Sequence, residues 1–173
     1  MSALQELLDS YRAAAQSERE KGTYFEDLIL CYVRNEATYR DLYSDVWTYA
    51  QWATAQGLDK RDTGIDLVAK THGTGEFHAI QCKLYAADYK LQKADIDSFF
   101  TASGKKPFSR RVIISTTNHW SEHAEDALIG QQPPVTKIDL FDLEYSQIDW
   151  ARYQPKAKPV LKDKKRLRPH QTQ

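Results

Sequence analysis

The sequence holds only two cysteines, Cys31 and Cys82, and neither belongs to a CxxC pair or sits near a histidine at metal-ligand spacing. A disulfide framework and a structural zinc site are therefore not signalled, and both thiols read as reduced packing groups. His119 and His123 stand four residues apart on an expected helix but lack a third ligand, so they fall short of a metal set. No stretch approaches the roughly 18 uninterrupted apolar residues of a membrane span. The N-terminal MSALQELLDSYRAAAQ has helical spacing without the basic start and apolar stretch of a signal peptide. The chain thus reads as cytoplasmic. Its seven glycines form no phosphate-cradling loop, and no serine or cysteine stands with a recognisable base.

Net charge is also missing, with 24 Lys and Arg against 24 Asp and Glu, but the balance is uneven. Residues 156–173 hold seven basic residues and one acidic, which leaves 17 basic against 23 acidic in the rest, a net near −6. A body of that sign argues against a simple basic DNA-binding domain.

What is present is a core-forming fraction, 41% hydrophobic and 12% aromatic, in a length suited to one domain. Helical spacing runs through Leu4, Leu7, Leu8 and Tyr11, and again after Gly22 through Phe25, Leu28, Ile29, Tyr32 and Val33. DVWTYAQWA, DTGIDLVAK and EFHAIQCKLY read as three strands, the last two joined as a hairpin by THGTG. A helix over DYKLQKADIDSFFTAS, a strand over RRVIISTT, a helix over HWSEHAEDALIG and a strand over VTKIDLFDLE follow. This order implies an α/β fold with a central mixed sheet flanked by helices. YQPKAKPVLKDKKRLRPHQTQ, proline- and lysine-rich without apolar periodicity, reads as a linker, so residues 1–153 form the domain and 154–173 a basic tail.

The third strand raises a question of chemistry. Alternation sends Ile80, Cys82 and Leu84 to one face and Ala79, Gln81 and Lys83 to the other. A four-residue loop, His72 to Gly75, sets Thr71 against Glu76 and brings Asp66 to the face of Gln81. A carboxylate, a carboxamide and an ammonium on one face suit a hard cation beside a phosphate. The backbone carbonyl of Cys82 is a further candidate ligand, and Glu26, bordering the core on the second helix, a supporting carboxylate. The plainer alternative is a cross-strand salt bridge from Lys83 to Asp66 with Gln81 as a bystander.

GIDLVA followed by QCK resembles the PD-(D/E)XK nuclease superfamily in its Mrr-like form, D…QxK, where a glutamine replaces the third-strand acid. The resemblance covers most of the chain and implies a restriction-endonuclease-like αβββαβ core and a bacterial, Mg²⁺-dependent endonuclease acting on double-stranded DNA. Asp66 then is the principal metal ligand, Gln81 a neutral one, Lys83 the group aligning the nucleophile, and Glu26 a ligand or base. Losing one negative ligand at Gln81 implies weaker metal binding, and an acid restored there is expected to bind the ion more tightly. KRLRPHQ, with Arg168, Pro169 and Gln171, is similar to the opening of a superfamily 2 helicase. Together these resemble the N-terminal domain of Type ISP single-polypeptide restriction-modification enzymes, which implies a following ATP-dependent, helicase-like ATPase and a methyltransferase domain. The competing expectation is a catalytically inactive member of the fold that docks DNA or protein.

Overall fold

The structure, a computed structural model, describes residues 2–61, 64–155 and 158–162. Two capped helices open it. Ser2 and Gln5 form a capping box at the start of α1 (Ala3–Ala14), which buries Leu4, Leu8 and Tyr11 along one stripe. The second helix, α2 (Glu18–Asn35), begins earlier than Gly22 because the Ser17 side chain accepts from Glu20 N, and Gly22 is carried inside. It buries Phe25, Leu28, Ile29, Tyr32 and Val33 and is followed by the short α3 (Ala37–Leu42).

The central sheet runs β1 (Tyr43–Thr48), β2 (Leu67–Thr71), β3 (Phe77–Lys83), β5 (Phe108–Ser115) and β7 (Val135–Ile138), side by side in that order. The first three are antiparallel neighbours and the last three parallel, so the sheet is mixed, as the order of elements implied. The parallel step from β3 to β5 is made through α5 (Lys93–Ser103). Strand alternation splits the core in two. Leu67, Ala69, Ile80, Val112 and Ile114 pack with α1 and α2, while Val68, Ala79 and Ile113 pack with α5 and α6 (Glu122–Leu128).

The hairpin has the expected register: Leu67 to Lys70 oppose Ile80 to Phe77, and Thr71 N donates to Glu76 O at 2.9 Å. Elsewhere four expected elements divide. DVWTYAQWA is β1 followed by α4 (Tyr49–Ala55), because Thr48 and Gln51 form a capping box that turns the chain into a helix. VTKIDLFDLE is likewise broken after Ile138 by an Asp139–Asp142 box that opens α7 (Leu140–Glu144). The helix expected from Asp88 starts only at Lys93, and the one expected from His119 only at Glu122. The residues before them form β4 (Lys90–Leu91) and β6 (His119–Trp120), a small parallel pair. His119 and His123 therefore share no helix.

Two features tie the edges down. Arg111 on β5 is 1% exposed, and its guanidinium donates to the carbonyls of Pro133 and Phe100 and to Gln131 Oε1. At the other end, Asp149 N donates to Val160 O at 2.7 Å and Lys162 N to Gln147 O at 2.6 Å, so residues 160–162 are paired with the domain. Arg168, Pro169 and Gln171 lie outside the described residues. Among the described residues no helix is long and apolar enough to cross a membrane.

Candidate active site

The hairpin ladder ends at Leu67, and Asp66 sits one step beyond it. There it is held by its backbone: Asp66 N donates to Ile80 O at 3.0 Å and its carbonyl accepts from Tyr49 N at 2.9 Å. The carboxylate reaches β3, where Oδ2 accepts from Cys82 N at 2.7 Å. Asp66 is thus fixed against the residue that separates Gln81 from Lys83.

Gln81 is 3% exposed. Its Nε2 donates to Gly64 O at 3.1 Å, while Oε1 is buried with no hydrogen-bond partner among the described residues. A buried acceptor left open is costly unless something else fills it. Lys83 closes β3 half-buried, its carbonyl accepting from Thr116 N at 3.1 Å. Among the described residues none forms a salt bridge with Lys83, so the plainer cross-strand pairing is not what the hairpin makes.

Glu26 approaches from the other layer. It lies half-buried on α2, next to the packed Phe25, and α2 covers the face that carries the Cys82 side chain. Burial pushes the Cys82 thiol well above its ordinary pKa, and the Asp66 and Glu26 carboxylates add to the effect. Both carboxylates therefore act on the same thiol, one from the strand end and one from the helix. A thiol held protonated there is no nucleophile.

The segment after Lys83 is braced. Tyr85 N donates to Thr116 Oγ1 at 2.7 Å, the Tyr85 carbonyl accepts from Thr116 Oγ1 and Arg12, and the Tyr85 and Tyr89 rings lie 4.3 Å apart. Sequence reasoning missed Gly64; the available signal was a glycine two residues before Asp66.

Among the described residues no group of three or more His, Cys, Asp or Glu is arranged to hold a metal. The donor chemistry nevertheless fits a hard cation. Mg²⁺ keeps several waters and needs one or two carboxylates, and the Gln81 Oε1 is an oxygen donor without a partner among the described residues.

A mixed sheet flanked by helices, with a carboxylate at the end of one strand and a carboxamide and lysine on the next, defines a PD-(D/E)XK-like restriction-endonuclease core. The chain belongs to the restriction-endonuclease family Mrr_cat_2, whose model matches residues 34–160. That stretch takes in Asp66, Gln81 and Lys83 but begins after Glu26. Among solved structures, the ATP-dependent Type ISP restriction-modification enzyme LlaBIII bound to DNA is 32% identical with a TM-score of 0.73, over 95% of this chain and 10% of that one. The DNA modification-dependent restriction endonuclease AspBHI shares the fold, at 15% identity and a TM-score of 0.55, over 82% of this chain and 34% of that one. The chain thus spans about a tenth of the first structure and a third of the second. No curated protein matches it.

Proposed function

We propose that the chain is the metal-dependent DNA endonuclease domain of an ATP-driven restriction-modification enzyme, hydrolysing phosphodiester bonds in double-stranded DNA. The single observation that carries the reading is the unfilled Gln81 Oε1, buried next to the backbone that anchors the Asp66 carboxylate. Asp66 and Gln81 would hold Mg²⁺, with the Cys82 carbonyl and Glu26 as supporting ligands. Bound there, the ion would supply Lewis-acid polarisation of a phosphoryl oxygen. Lys83, without a salt-bridge partner among the described residues, is available to orient a water and to balance charge gathering on the phosphate. Asp66 keeps its place throughout because its Oδ2 is engaged by Cys82 N.

The resemblance to LlaBIII supports a longer polypeptide in which a helicase-like ATPase and a methyltransferase domain follow, so that ATP serves the motor and not this domain. A net charge near −6 before the basic tail fits a nuclease that relies on another domain to hold DNA.

The test is cleavage of a long duplex by the full polypeptide with ATP and Mg²⁺. Asp66→Ala and Lys83→Ala are each expected to lower the rate at least about 100-fold while far-UV circular dichroism stays unchanged. Cleavage at the wild-type rate by either folded variant would assign the chain to a non-catalytic docking module.

A further inference from the structure

Gly64 stands two residues before Asp66 with φ +90°, in the left-handed region that side chains avoid. A Cβ there would lie 3.2 Å from the carbonyl carbon and oxygen of Ser98 and 3.3 Å from its Oγ. The segment is therefore seated close against α5, and its positive φ disfavours any side chain there. From that seat its carbonyl accepts from Gln81 Nε2. The bond settles which way the amide faces: the nitrogen goes to Gly64, and Oε1 goes to the buried position where it has no partner.

We propose that Gly64 is the positioning residue of this site, its carbonyl selecting a carboxamide over a carboxylate at position 81 and directing Oε1 away from Gly64 as the ligand atom. What Oε1 binds rests on the proposed nuclease function; the selection itself needs no ion. A carboxylate at 81 sets acceptor against acceptor, removes the Nε2 hydrogen bond to the Gly64 carbonyl, and puts a charge at a position only 3% exposed. Counting negative ligands favours an acid at 81, and the Gly64 carbonyl reverses that expectation.

Two arms test this on the whole chain. In EDTA at pH 8, the melting temperature is expected to fall in the order wild type, Gln81→Met, Gln81→Glu, since the second change adds a buried repulsion to the lost hydrogen bond. A Gln81→Glu chain as stable as wild type overturns the proposal. In the second arm Mn²⁺ affinity is measured by calorimetry. Gly64→Ala is expected to weaken binding several-fold, up to about tenfold. Placed on Gln81→Met it is expected to add nothing, because Gly64 acts through the amide; an additive loss reports general damage and overturns the positioning role. Should Gly64→Ala not fold, Gln81→Glu decides this arm, and a tenfold gain in Mn²⁺ affinity sinks the proposal. A wild-type chain that binds no Mn²⁺ removes the nuclease reading, and the melting order then decides the Gly64 claim by itself.

Discussion

Arg111 and Gln81 are polar side chains buried on neighbouring strands, Arg111 opposite Ala79 and Gln81 two residues further along. Their treatment differs. Arg111 spreads its fork over Pro133 O, Gln131 Oε1 and Phe100 O and lies over the Phe100 ring at 5.3 Å. Every side of the guanidinium is used, so it locks the end of α5 and the loop before β7 together. Gln81 is satisfied on one side and open on the other. Arg111 is closed off and so locks structure, whereas Gln81 keeps an open acceptor. Trp52 Nε1, Trp120 Nε1 and the Tyr11 and Tyr153 hydroxyls are also buried without a partner among the described residues, so it is the place of Gln81 beside Asp66 and Lys83 that sets its open oxygen apart.

The comparison breaks first at Arg111. Arg111→Ala leaves a cavity and several unpaired carbonyls, an expected loss of about 3 kcal/mol or a Tm lower by roughly 6–12 °C. Calorimetric melting measures it, and DNA cleavage below the transition should be unchanged; lost cleavage at an unchanged Tm would erase the contrast. His78 is the intermediate case. It is 4% exposed, with Nδ1 hydrogen-bonded to the Tyr43 hydroxyl at 2.7 Å. Burial and the nearby Arg110 charge hold its pKa below the ordinary value, against a smaller opposing effect from Glu76. Above roughly pH 6.5 His78 is neutral folded and unfolded, so its contribution is fully present. As pH falls below that value the unfolded chain takes up the proton first, and stability declines until the depressed folded pKa is passed. Melting curves from pH 8 down to 5 should show that decline, and His78→Asn should flatten it. The smallest effect is expected at Glu26, which reaches the site from another layer: Glu26→Gln should slow cleavage about tenfold and raise the Mn²⁺ needed for half-maximal rate. A fully active variant would return Glu26 to an ordinary helix charge.

The hairpin and its D…QxK spacing were legible because alternation and a four-residue loop fix a register with two buried faces to satisfy. The broken elements had local signals that apolar runs concealed, since Thr48-x-x-Gln51 and Asp139-x-x-Asp142 are capping boxes inside stretches otherwise fit for strands. The β4–β6 pairing had none, because Lys90 and His119 meet only after the chain folds. Gly64 left only the faint signal of a glycine two residues before Asp66. The partners that would give it a role, Ser98 and Gln81, lie far along the chain and meet it only after folding.

Asp66 is tied through its amide to β3, through its carbonyl to the first residue of α4, and through its carboxylate to Cys82. Most of the freedom an aspartate loses on gripping a ligand has therefore already been surrendered during folding. A ligand bound there, as proposed, would require little further ordering at this residue, and its affinity would be set by the chemistry of the oxygens and not by the entropy of finding them. Loosening α4 at Tyr49, without touching any oxygen of the site, returns that entropy to the binding step.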